Sequence, residues 1–250
     1  MKRFILSRFD LIAVPGEDGV RFTRELLDVP QPTVILPNLV NETLFRNATA
    51  DDADSIRRDL GLPAEKKLAL LPARLAPEKG ILELLKTLEH VSLAEWRICI
   101  VGEGPLGPSI AEWLSTSRLS GFVSVIGYLP YERMPALYRA ADLFVLPSLY
   151  DPNPLSVVEA LHAGLPLLVS RRLGNLPEAL RQGENGFSFE PDDSADALRA
   201  AKAAFEASRE KLAIMGQSSL VRARFWQTEG AVARFLDTIE EKLRTNGERL

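Results

Sequence analysis

The chain has 250 residues, 46 % of them apolar and 26 % charged, which is enough apolar material for a packed core and excludes a disordered chain. Lys and Arg number 30 against 34 Asp and Glu, a net charge of −4 that excludes a generally basic nucleic-acid binder. A single cysteine, Cys99, and two histidines, His90 and His162, exclude a disulfide framework and any multi-cysteine or histidine-rich metal centre.

No apolar run approaches the ~18 residues needed to cross a bilayer. The basic start, Lys2-Arg3 to Arg8, carries too short an apolar stretch for a signal peptide. The expectation is a cytoplasmic protein, with peripheral contact at the inner membrane surface as a further expectation. In chain order, residues 10–14 read as a strand, 20–27 as a helix and 33–36 as a strand, barely one βαβ unit. Residues 41–54 are polar and read as a linker. From residue 67 strands and helices alternate. Strands are expected at 68–73, 97–101, 122–128, 142–147, 166–170 and 186–189. Helices are expected at 80–90, 106–118, 131–140, 155–163 and 176–182, with further helices from about Ser194. Near the end, Val232, Phe235, Leu236, Ile239 and Leu243 give residues 230–243 one apolar helical face, which must pack on something.

The strands from residue 68 onward are almost wholly apolar rather than alternating. A strand buried on both faces needs that, so the fold expected is α/β, a doubly wound, Rossmann-like parallel sheet. Its ligand then belongs beyond the carboxyl ends of the strands. Three of those ends carry suitable residues. Arg74 leaves the first strand and Lys79 opens the next helix, and two cations at a helix N-terminus suit a diphosphate. The alternative is a pair of solvated surface charges with Glu78 as partner. Gly102-Glu103-Gly104-Pro105-Leu106-Gly107 matches G-x-G-x-x-G after a strand. A dinucleotide enzyme would also want an acid about 20 residues further on. That place holds Ser124 to Tyr128, with no carboxylate, so a turn lining a nucleotide pocket and a plain tight turn both stay open. After the fourth of these strands, Asp151 lies in a proline-rich loop and Glu159 on the following helix. Glu159 could take both hydroxyls of a ribose, and the amides of Leu155 and Ser156 could take a phosphate.

Taken together and in order, these residues resemble the donor-binding half of the GT-B-fold, family-4 ("group 1") glycosyltransferases, from about Asp10 to Phe225. Arg74 and Lys79 match an R-x4-K diphosphate clamp, and Gly102 to Pro105 match a G-x-G-P turn. Asp151 to Glu159 match an E-x7-E motif that continues as Glu159-Ala160-Leu161-His162-Ala163-Gly164-Leu165-Pro166. Pro37-Asn38-Leu39-Val40-Asn41 and Phe45 are similar to the segment between the acceptor and donor domains, and Asn185-Gly186 to a common turn. The resemblance implies a retaining, metal-independent enzyme that transfers a hexosyl group from a UDP- or GDP-sugar to a saccharide or glycolipid acceptor, with no other cofactor. It implies that Arg74 and Lys79 neutralise the diphosphate leaving group and act in catalysis with Asp151, which faces the donor sugar. It implies that Gly102, Gly104 and the backbone near Tyr128 line the nucleotide pocket, and that Glu159 holds the ribose. Two features depart from the pattern: the first acid is Asp rather than Glu, and Pro152 and Pro154 stand where glycines are common.

The expected organisation is a remnant of the acceptor domain with the interdomain linker at 1–45, a donor-binding domain at 46–228 and an amphipathic helix at 229–250. The chain is thus expected to be a fragment of a longer protein, or one that works with an acceptor-domain partner. Two other readings stand beside the enzyme: a non-catalytic donor-binding subunit, and, more remotely, an NAD-dependent oxidoreductase resting on Gly102, Gly104 and Gly107. Cys99, Trp96, Trp113 and Trp226 read as packing residues, His162 as packing close to the pocket, and Arg171 and Arg172 as solvated surface.

Overall fold

The computed structural model describes residues 2–28 and 31–247. A helix α1 (Lys2–Leu6) precedes a small unit of β1 (Ile12–Val14), α2 (Glu17–Arg21) and β2 (Thr33–Ile35), in which β1 and β2 pair parallel as a sheet of their own. The expected helix at 20–27 is displaced: α2 starts earlier, and residues 22–26 continue as a wider helical turn.

Residues 41–54, expected as a polar linker, are mostly helical. They hold α3 (Glu42–Asn47) and the start of α4 (Ala50–Asp59). Thr49 caps α4 reciprocally: its hydroxyl accepts from the Asp52 N–H, and the Asp52 carboxylate accepts from the Thr49 N–H at 2.9 Å. The helix is polar on its outer face and buries only Ala53, Ile56 and Arg57, so its periodicity is faint in the sequence.

The main body alternates as expected: β3 (Lys67–Pro72), α5 (Ile81–Leu88), β4 (Trp96–Val101), α6 (Gly107–Thr116), β5 (Val123–Gly127), α7 (Met134–Ala140), β6 (Leu143–Leu146), α8 (Leu155–His162), β7 (Leu167–Ser170), α9 (Leu176–Ala179), β8 (Gly186–Phe189) and α10 (Ser194–Phe205). Two long helices follow, α11 (Arg209–Ala223) and α12 (Thr228–Gly247). The six strands are parallel in the order β5-β4-β3-β6-β7-β8. On one face Leu68, Leu70, Phe144, Leu146 and Val169 pack with Phe45, Ile56, Leu137, Val158 and Trp226. On the other Ala69, Leu71, Ile98, Val145 and Leu168 pack with Leu85, Ile110, Ala201 and Leu212. Successive strand residues therefore enter opposite cores, which is why both positions must be apolar.

Cys99 is fully buried, and desolvation pushes its thiol up to about 12, so it is an inert core residue. Trp96 and Trp226 are buried as expected and Trp113 partly so; the Trp96 indole N–H donates to the Phe205 carbonyl at 2.7 Å. The apolar face expected on the last helix is partly covered: Phe235 and Ile239 are half-buried, Val232 and Leu236 are exposed, and Leu243 lies outside the described side chains.

Candidate active site

The strand order reverses between β3 and β6: from β3 the chain steps to β4 and β5 on one side, then returns to β6 on the other. A crevice opens beyond the carboxyl ends of strands at such a point. The loops that leave β3 and β6 there are those of Arg74–Lys79 and Asp151. They meet: Lys79 Nζ lies 2.5 Å from Asp151 Oδ2, with both side chains largely buried. The Arg74 side chain is exposed and has no hydrogen-bond or ion-pair partner among the described residues, so its charge is available to a ligand.

Main-chain bonds lace the rim of this crevice. The Gly102 N–H donates to the Gly127 carbonyl, Leu75 N–H to Glu103, Leu106 N–H to Leu75, and Leu149 N–H to Glu78 at 2.8 Å. On the far side the Asp151 N–H donates to Arg172 at 3.3 Å and the Gly174 N–H to Asp151 at 3.0 Å. The loops after β5, β4, β3, β6 and β7 are thus tied in the order in which their strands lie. Two glycines permit the close passage. Gly102 has φ +139°, and a Cβ there would meet the Ala73 carbonyl oxygen at 2.2 Å; Gly80 has φ +61°, and a Cβ would meet the Pro147 oxygen at 2.4 Å. Gly104 likewise lies against the Leu75 backbone. The G-x-G-P turn accordingly serves the packing of one loop on the next.

Glu159 is half-buried on α8. The fully buried Tyr138 hydroxyl donates to its Oε2 at 2.7 Å, and the Tyr131 hydroxyl bears on it too. Burial pushes its carboxyl up, and the two tyrosine hydroxyls pull it partly back by favouring the ionised form. One carboxylate oxygen is thereby anchored. No side chain caps the first turn of α8, where Leu155 is exposed and Ser156 half-buried, so the opening amides of the helix are left for a ligand. Tyr128 is 72 % exposed at the end of β5, its N–H donating to Glu103 Oε1 at 3.3 Å.

The structure therefore joins Lys79 directly to Asp151 and interlocks the loops of Arg74, Gly102, Gly104 and Tyr128, while Glu159 rests on a tyrosine pair. Sequence reading missed Tyr131, Tyr138 and Glu103. The tyrosines lie in the preceding strand–helix unit, and no local spacing ties them to Glu159. It also missed Asn175, whose side chain donates to the Pro154 carbonyl at 3.0 Å and holds the proline loop from behind.

His162 sits at the far end of α8, away from this rim. It is 1 % exposed, and burial with the Arg46 charge pushes it down to about 4. Arg171 and Arg172 are paired rather than simply solvated: Arg171 lies 2.7 Å from Asp196, and Arg172 lies 2.6 Å from Glu190. Both line a cleft of about 510 Å³ between residues 15–26 of the small unit and the loops holding Tyr150 and Gly174. Among the described residues no three His, Cys, Asp or Glu side chains converge as a metal set would.

Residues 52–220 match the family described as glycosyl transferases group 1. The chain is 32 % identical over 173 residues to the putative glycosyltransferase EpsF of Bacillus subtilis, a match covering 68 % of this chain and 44 % of EpsF. It is 27 % identical over 164 residues to the alpha-monoglucosyldiacylglycerol synthase of Acholeplasma laidlawii, covering 64 % of this chain and 41 % of that one. These matches span less than half the length of either relative. Among solved structures, HepE of Anabaena in complex with UDP superposes with a TM-score of 0.81 at 19 % identity, covering 96 % of this chain and 68 % of HepE, a likeness of fold. With the family match covering most of the six-stranded body, this chain belongs to the group 1 glycosyltransferases.

Proposed function

We propose that this chain is the donor-binding half of a retaining hexosyltransferase that takes a UDP- or GDP-sugar and serves an acceptor saccharide or glycolipid. The observation that carries the reading is the meeting of Lys79 and Asp151 at the strand-order reversal, with the unpartnered Arg74 on the same rim. A cation and an acid in contact, beside a second cation, are what a sugar linked through a diphosphate requires. On this reading the diphosphate takes Lys79 and Arg74, and the amides of Leu155 and Ser156 add hydrogen bonds at the start of α8. The leaving diphosphate gains charge in the transition state, so the same cations lower the barrier as well as bind. Asp151, released from Lys79, faces the sugar. Glu159 keeps one oxygen on Tyr138 and offers the other to the ribose, while Gly102, Gly104 and the Tyr128 backbone line the base. HepE, solved with UDP and with UDP-glucose, supports a nucleotide of this class.

β1, α2 and β2 are read as the last part of an acceptor domain, facing the donor half across the cleft of about 510 Å³. Transfer needs the acceptor held in line with the anomeric carbon. Donor binding is therefore the property to measure on this chain. The protein is read as cytoplasmic, working at the inner face of a membrane when the acceptor is a lipid; among the described residues no helix is long and apolar enough to span one.

The test is a calorimetric titration with UDP and GDP on the wild type and on Lys79→Ala. The loss of one charge-assisted contact should weaken binding about tenfold or more. Equal affinity in both chains removes Lys79 from the site, and binding of NAD in preference to either nucleotide overturns the donor class.

A further inference from the structure

The amino edge of the sheet, opposite the donor crevice, carries a second polar concavity of about 750 Å³. Asp142, just before β6, and Leu165 and Pro166, just before β7, form its floor, and the ends of α7 and α8 and one side of α11 form its walls. Four arginines line it: Arg46, Arg139, Arg209 and Arg224, all exposed. In a chain of net charge −4 this is a local reversal of sign.

The acid in the lining is already committed. Asp142 Oδ1 accepts from Arg209 at 2.9 Å, and Oδ2 accepts from the Leu68 N–H at 2.8 Å and faces Arg57 at 3.5 Å. With the Gln227 amide turned so that its oxygen faces Arg46, Arg46 donates to that oxygen at 2.9 Å. Arg139 and Arg224 have no hydrogen-bond or ion-pair partner among the described residues. The buried His162, held down to about 4, adds no charge to the wall at neutral pH.

Helix-end compensation accounts for part of this. Arg46 and Arg139 sit in the last turns of α3 and α7, where a cation offsets the helix dipole. It accounts for Arg224 too, at the C-terminal cap of α11, but not for Arg209, which opens that helix, where the dipole favours an acid.

We propose that this concavity binds a phosphate-bearing anion, distinct from the donor nucleotide. Guanidinium groups present paired N–H donors matched to phosphate oxygens. The volume falls within the range of small-molecule sites, so the ligand is larger than a lone phosphate: a phosphorylated metabolite, or the phosphate headgroup of an anionic lipid.

Inorganic pyrophosphate is the probe, titrated at low ionic strength into Lys79→Ala, which weakens the donor crevice, and into the same chain carrying Arg139→Ala and Arg224→Ala. The expected result is measurable binding to the first and at least tenfold weaker binding to the second. A parallel arm measures retention on phosphatidylglycerol vesicles against phosphatidylcholine vesicles. Arginine-dependent retention on the anionic vesicles alone identifies a lipid headgroup, and arginine-dependent pyrophosphate binding alone identifies a free phosphate compound. The proposal falls if the arginine changes leave both readouts unaltered, or if the Lys79→Ala chain binds neither probe. An unchanged melting temperature in the arginine variant shows that it has folded.

Discussion

Lys79 and Asp151 hold each other at 2.5 Å, so the diphosphate proposed for this site would have to compete with an existing partner. Glu159 has a softer restraint: the Tyr138 hydroxyl fixes its direction without neutralising it. His162, at the other end of the same helix, carries the clearest electrostatic signature. Burial and the nearby Arg46 hold it down to about 4 from an ordinary 6.5, with Glu42 and the Trp226 backbone opposing. The unfolded chain therefore takes up this proton below pH 6.5, while the folded chain refuses it until about pH 4. Stability associated with His162 is complete above pH 6.5 and falls as pH drops toward 4, by roughly 3 kcal/mol in all. Urea unfolding across this interval should show a markedly shallower pH slope in His162→Leu than in the wild type; parallel slopes would refute the assignment.

At the scale of elements, the capping box of α4 gives a direct measurement. Thr49→Ala removes the hydroxyl that accepts from the Asp52 N–H and should cost about 1 kcal/mol, read from the denaturation midpoint. No change would mean that packing of Ile56 and Arg57 alone holds the helix. The same helix shows where sequence reading stops. The six central strands are legible because each residue enters one of two apolar cores, and a short unbroken apolar run between turn residues points to a strand covered on both faces. Residues 41–54 are illegible by that criterion, since α3 and α4 lie on the outside and bury little more than Phe45, Ala53 and Ile56. Their signal was in the caps, Thr49 with Asp52, rather than in the apolar pattern. Among the site residues, those at strand ends were found because topology selects them. Tyr131 and Tyr138 were not, because their meeting with Glu159 depends on how α7 packs beside α8.

On the scale of the whole molecule, the small β1–β2 unit meets the main body at two places: β2 packs against α12, and α2 docks on Glu178. Its Oε1 accepts from the Glu17 N–H at 2.6 Å, and the Arg222 guanidinium donates to the Glu178 carbonyl. Burial pushes the Glu178 carboxyl up, while the Glu17 N–H pulls it back. Glu178→Ala should free residues 12–27, raising their amide exchange roughly tenfold, while exchange in β3 and β6 stays as it was. Uniform acceleration throughout would show instead that the small unit and the sheet unfold together. The expectation of two unequal parts rested on one short βαβ pattern; their docking could not be read, because it uses a glutamate that sequence reading placed merely in a short helix and a face of the distant α12. The laced rim has a consequence of another kind. Its ties run through peptide groups, from Gly127 across to Gly174, and the side-chain demands on them are few: glycine at 80, 102 and 104, and Asn175 behind the proline loop. Exposed positions such as Tyr150 are therefore open to replacement without unravelling the rim, and the donor preference proposed for it could drift during evolution, or be redesigned by saturation mutagenesis, on an unaltered scaffold.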